Sequence, residues 1–148
     1  MARPSFFREN GQNNPNFLNN MRQNDIKRAI KRIILDVVND NIIDEDYIYF
    51  TNIRLINFGM EEAIKNIRYA QTEYNCAYYY SNSPYYQYNG LTDAPEGGNV
   101  QKIIATATAK MKAWEVVYQC FYSLSLGNDP KWVFQYIRGN DNNILKSL

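Results

Sequence analysis

Side chains able to carry out covalent or acid–base chemistry are few in this chain of 148 residues, and histidine is missing altogether. Without imidazole there is no Ser-His-Asp or Cys-His nucleophile, and no zinc site that needs histidine. Two cysteines, Cys76 and Cys120, fall short of a four-sulfur site and of a secreted disulfide framework. Both read as reduced, buried thiols within helices. Neither the P-loop nor the dinucleotide-binding glycine pattern occurs. Gly97-Gly98 reads as the end of a loop before a helix, whose N terminus could receive a phosphate. Asp44-Glu45-Asp46 offers three consecutive carboxylates to a hard cation but lacks the spacing of a calcium loop, and an acidic turn in solvent is the alternative. Glu61-Glu62 is most simply a helix start. The expectation is a protein that is not an enzyme, with no cofactor and no resident metal; carboxylate chemistry is the one gap in that argument.

What the sequence offers instead is contact surface, in three places. The first is the run Tyr78-Tyr79-Tyr80-Ser81-Asn82-Ser83-Pro84-Tyr85-Tyr86-Gln87-Tyr88-Asn89-Gly90. Tyrosine supplies large contact area at small entropic cost, and small polar residues adapt around it, as in protein-recognition loops. Tyr79, Tyr80, Tyr85, Tyr86 and Tyr88 are its interface candidates; packing over the chain's own helices is the plainer alternative. No Lys or Arg falls between Tyr69 and Gln101, which disfavours base stacking here. The second place is the basic stripe Lys27, Arg28, Lys31 and Arg32, with Arg3, Arg8 and Arg22 upstream. It suits an acidic protein neighbour, and nucleic acid is the second choice. The third is residues 1–23, an Asn-, Gln-, Pro- and Gly-rich stretch that reads as an extended arm with anchors at Phe6, Phe7, Phe17 and Leu18. Those anchors need to dock, either on a neighbouring subunit or on the chain's own body.

Charge is uneven along the first half. Residues 1–32 carry seven basic and two acidic side chains, net +5, whereas residues 33–62 carry one basic and seven acidic, net −6. Such asymmetry suits head-to-tail association of identical subunits; mutual neutralisation within one fold is the alternative. The whole-chain net charge of +1 argues for neither nucleic acid nor membrane. No apolar stretch is long enough to span a bilayer and the start lacks a signal-peptide pattern. The expected setting is a cytoplasm or a particle assembled there.

The elements that must position these surfaces are mainly helical, and the length fits one domain. Ile26, Ala29, Ile30, Ile33, Ile34, Val37 and Val38 form one apolar stripe from Asn24, with Asn24 or Asp25 as cap and Asn39-Asp40-Asn41 as stop. Residues 42–57 include Tyr47-Ile48-Tyr49-Phe50-Thr51, which suggests a strand or an irregular connection. A second helix is expected over about Met60–Tyr80, with Met60, Ile64, Ile67, Ala70 or Gln71, Tyr74 and Tyr78 on its inner side. Residues 81–98 form a long loop, with a hairpin turn at Asn89-Gly90. The third helix, Asn99 to Gly127, carries Val100, Ile103, Ile104, Ala107, Met111, Trp114, Val117 or Tyr118, and Phe121. It is long enough to span the molecule and project past it. Asp129 and Pro130 open a short helix carrying Trp132, Val133, Tyr136 and Ile137. The expected fold is a bundle of three main helices and a short C-terminal one, with the arm at 1–23 and the domain at 24–148.

This layout of arm, helical bundle (24–38, 60–80, 100–126), protruding loop (81–98) and terminal segment (141–148) is similar to the small head-tail connector, or ring, proteins of tailed bacteriophages. The resemblance covers the whole chain as a layout and rests on no motif. It implies a homo-oligomeric virion subunit between portal and tail, contacting copies of itself and neighbouring virion proteins. The rival expectation is a small cytoplasmic regulator that binds nucleic acid through the basic face of the first helix.

Overall fold

The structure, a computed structural model, describes residues 3–11, 14–82 and 97–148. The chain is mainly helical, and there are no strands among the described residues. Helices α1 (Phe6–Gly11) and α2 (Phe17–Asn20) are followed by α3 (Gln23–Val38), a 3-10 helix (Asp44–Thr51) and α4 (Ile53–Asn82). Then come α5 (Gly97–Ser125), α6 (Pro130–Asn140) and α7 (Asn142–Leu145). Among the described residues, no helix is long and apolar enough to cross a membrane.

All seven stripe residues of α3 are buried, as the spacing requires. The cap differs from expectation: Arg22, in extended conformation, precedes the helix without a side-chain cap bond, so Asn24 and Asp25 lie inside the first turn. At the other end Asp40 adopts φ 56°, a left-handed conformation that Asp and Asn tolerate better than most residues. Where a strand or an irregular connection was expected, the chain forms the 3-10 helix. Asp46 accepts a hydrogen bond from the Ile43 amide at 3.0 Å, closing the first turn, and Phe50 is driven into the core. Aromatic and β-branched residues favour strands only where a pleated neighbour receives them, and here they pack against helices.

Helix α4 begins seven residues before the expected Met60 because Asn52 caps it, its Oδ1 accepting the Leu55 amide at 3.1 Å. Its buried residues Ile56, Ala63, Ala70 and Ala77 repeat every seven positions, as do Val100, Ala107, Trp114 and Phe121 of α5. A seven-residue repeat is the pattern of two helices packed along a common seam. Gly59 is part of that seam: a Cβ there would stand 2.6 Å from the Phe121 ring. The inner face of α4 therefore differs in part from the expected one: Ala70 is buried and Met60 and Ile67 pack against the core as expected. Tyr78 and Ile64 are exposed, and alanines occupy the seam. Gly127, at φ 88°, supplies the left-handed residue just past the end of α5. Asp129 caps α6 by accepting the Lys131 amide, with Pro130 in the first turn, as expected.

One core joins α1 to α3, the 3-10 helix, the near halves of α4 and α5, α6 and the chain end through Leu145 and Leu148. Residues 6–20 thus correct the reading of an extended arm. Phe6, Phe7, Phe17 and Leu18 are buried in the common core, with Phe7 stacked on Tyr49 at 4.8 Å and edge-on to Phe50 at 5.1 Å. Polar bonds hold the segment as well. Asp36 accepts the Phe6 amide at 2.9 Å, and buried Asp46 accepts Ser5 Oγ and Arg8 Nε at 3.1 and 3.3 Å. The arm folds because its anchors have partners on its own body.

Candidate protein-interaction site

The core includes α4 only as far as Ala63, with Met60 and Ile67 packed against it, and α5 only from Ala113 onward. Beyond Ile67, α4 runs on for about 22 Å to Asn82. This far end is a two-helix seam of Ala70, Ala77, Val100 and Ala107. Small seam residues let the helices pack closely and leave the large side chains on the outside. Tyr74 and Tyr78 stack at 6.1 Å with ring planes 6° apart. Tyr79 is 70% exposed, and Lys65 lies over the exposed Tyr69 ring at 5.9 Å. Tyr80 belongs to the last turns of α4, though its side chain is not among those described. Tyr85, Tyr86, Tyr88 and the expected hairpin at Asn89-Gly90 lie outside the described residues.

The basic stripe is divided by the fold. Lys27 pairs with Glu61 at 3.6 Å and lies over the Phe58 ring. Arg32 pairs with Glu9, donates to the Pro4 carbonyl and lies over the Phe6 ring. That pairing holds the Glu9 carboxyl below its ordinary range and raises the Arg32 guanidinium. Arg28 is 82% exposed and makes a long 3.9 Å ion pair with Asp25 one turn earlier, and Lys31 is exposed. These two line a groove of about 670 Å³ with Arg3, Arg32, Asp36 and Asn41. The charge asymmetry of the first half is largely neutralised internally, through Arg8–Asp46, Lys27–Glu61, Lys131–Asp44 and Arg138–Asp40.

Of the candidates read from sequence, Phe6, Phe7 and Phe17 are corrected: they are core residues and offer nothing to a neighbour. The acidic run is likewise dispersed, with Asp46 turned inward and Asp44 on Lys131 at 3.1 Å. Among the described residues no three acidic or sulfur side chains form a group able to hold a metal. Cys76 is exposed, contrary to expectation, whereas Cys120 is buried, and burial pushes its thiol well above the usual range.

A surface that sequence reasoning missed lies between α5, α6 and α7, a groove of about 620 Å³ whose apolar lining includes Val116, Cys120, Val133 and Ile144. Its lip is Trp132, 60% exposed, stacked on Tyr136, 61% exposed, at 6.5 Å. The spacing carried the signal. Val133, Phe134 and Ile137 complete one inward stripe on α6, which leaves Trp132 and Tyr136, four residues apart, on the adjoining face.

The described surfaces offer aromatic area, exposed cations such as Arg28 and Lys31, and an apolar groove, which is chemistry for contact. Comparison with protein-family models, with curated proteins and with solved structures finds no match.

Proposed function

We propose that this chain is a non-enzymatic assembly subunit that binds copies of itself and neighbouring proteins. In its narrower form the proposal is a ring or head-tail connector component of a tailed-bacteriophage virion, put together in the host cytoplasm. The observation that carries the reading is the far end of the α4–α5 pair. Two helices continue past the core on an alanine seam, which buries far less apolar area per turn than leucine or isoleucine would. Such an extension adds little to the stability of the single chain. Its outward stacked and exposed tyrosines suit it to contacts with other proteins.

A nucleic-acid regulator working through the basic face has weaker support, because Lys27 and Arg32 are engaged by Glu61 and Glu9. Light scattering and negative-stain imaging of the purified chain test the proposal. Rings or larger closed oligomers are expected, alone or with a portal or tail protein. A clean monomer that forms no ring and binds neither partner overturns it.

A further inference from the structure

The α4–α5 pair presents complementary surfaces on its two opposite sides. On α4, Ala63 and Ala70 are buried in the seam with α5. Ile64 and Arg68 stand about 100° and about 140° round the helix from Ala63, on the side turned away from α5. Ile64 is 37% exposed, and Tyr69 on the flank of this face is exposed too. Glu61 is taken by Lys27 at 3.6 Å and Lys65 by Glu62 at 3.3 Å, which leaves the exposed Arg68 without an ion pair among the described residues. On α5 the seam is held by Trp114 and Phe121. Val116 and Gln119 of the apolar groove stand about 160° and about 140° round from Trp114, so that groove opens from the side of α5 turned away from α4. Its charged lining is Lys112 against Glu115 and Asp141, net −1. Asp141 is half-buried and precedes α7 without a side-chain cap bond. Neither carboxylate makes an ion pair among the described residues.

We propose that the groove between α5, α6 and α7 of one copy receives the outer face of α4, Ile64 to Tyr69, from a second copy. This rests on the assembly reading above and names one of its contacts. Along α5 the groove runs from Lys112 to Ser123, roughly 16 Å, a length that a few turns of an incoming helix fill. Ile64 supplies the apolar anchor against Val116, Val133 and the Trp132 lip. Charge complementarity selects the occupant, since Arg68 brings the cation that Glu115 and Asp141 lack, and a guanidinium also stacks on an indole face. Position selects a second copy over the same chain, because donor face and groove lie on opposite sides of the pair. They also lie at the same height. Counting along the antiparallel pair from Gly59, which packs on the Phe121 ring, Ile64 is level with Val116. A contact between unlike surfaces is heterologous and repeats from copy to copy, and one with little axial step is suited to closing into a ring.

The test is a charge swap on the full chain, with oligomeric state read by sedimentation and light scattering at about 0.1 M salt. Arg68→Glu, and separately Glu115→Lys with Asp141→Lys, should each weaken association by about tenfold or more. A mixture of the two variants should associate again, because the reversed face of one matches the reversed groove of the other, and their unchanged surfaces match as before. Trp132→Ala should weaken association as well. Arg68 is exposed, so thermal melting of its variant should match the wild type. If the wild type assembles but neither reversal weakens it, or the mixture fails to recover, this contact is wrong while self-assembly stands. If the wild type stays monomeric alone and with a portal or tail protein, both proposals fall. If the groove reversal and Trp132→Ala leave self-association intact but abolish binding to a portal or tail protein, the groove belongs to that protein and the contact between copies is overturned.

Discussion

Residues 3–20 and the far end of α4 carry similar sequence, aromatic side chains set among small polar ones, and the fold uses them in opposite ways. Phe6, Phe7 and Phe17 are buried, whereas Tyr78 and Tyr79 face outward. The difference lies in what each segment finds nearby. The N-terminal segment meets acceptors on the body: Asp36 for the Phe6 amide, Asp46 for Ser5 and Arg8, and the Asn41 carbonyl for Arg8 at 2.7 Å. Its backbone and polar groups are satisfied as its rings are buried, so docking leaves few groups without partners. The end of α4 is already a helix and needs nothing from a core to satisfy its backbone. Its alanine seam meets α5 with the small side chains, and its tyrosines, which tolerate water through their hydroxyls, stay at the surface. Phenylalanine in the first segment and tyrosine in the second match those fates.

The largest effect that sharpens this contrast is on stability. Phe7→Ala should cost about 3–5 kcal/mol, the range for a fully buried aromatic, because Phe7 is 1% exposed and packs against Tyr49 and Phe50. For a chain of this size that lowers the melting midpoint by roughly 10 °C. Tyr79→Ser should change stability by less than about 0.5 kcal/mol and weaken only association. Urea unfolding of the two variants compares them directly; equal losses would mean that the two segments are not used differently.

Asp46→Ala comes next. Its carboxylate is buried and accepts Ser5 Oγ, Arg8 Nε and the Ile43 amide. Removing it leaves three donors short of a partner, at about 2–3 kcal/mol in all given that Arg8 is partly open to solvent. The loss should be local first. Limited proteolysis is expected to cut within residues 3–20 of the variant while α4 and α5 stay protected. Simultaneous loss of all segments would mean that the N-terminal segment is held as firmly as the rest of the core.

Legibility in the sequence followed the size of the signal. The α3 stripe was complete, since seven large or medium apolar residues at helical spacing admit one buried face. The Asp129-Pro130 start of α6 was equally plain. The inner face of α4 was legible only in part: Ala70 was read correctly, but apolar periodicity gives weight to Ile64 and Tyr78, while a close helix pair selects Ala63 and Ala77. Asn52 hid the start of α4, since a single amide cap looks like any other asparagine in a chain rich in them. Residues 47–51 read as a strand or an irregular connection because their preference depends on a neighbour that sequence does not name. Of the candidate surface residues, Tyr79, Arg28 and Lys31 are exposed where a partner could meet them, and the phenylalanines are not. Trp132 and Tyr136 went unnoticed as surface because they sit next to a genuine core stripe on the same short helix.

The smallest effect concerns pH and the outer tie of the N-terminal segment. Arg32 donates to Glu9 and holds its carboxyl below the ordinary value of 4.5. A carboxyl with a lowered value in the fold takes up protons less readily than in the unfolded chain. Its contribution is therefore present above pH 4.5 and is lost as pH falls through the lower folded value. Because Glu9 is open to solvent, the contribution is small and screened by salt. Glu9→Gln should leave stability at pH 7 nearly unchanged and flatten the decline of the melting midpoint below about pH 4.5 relative to the wild type. Hydrogen exchange of the Phe6–Gly11 amides should follow the same trend, faster in acid for the wild type and nearly pH-independent, after correction for intrinsic rates, in the variant. An identical acid limb in both proteins would show that the outer ion pair contributes nothing to holding this segment down.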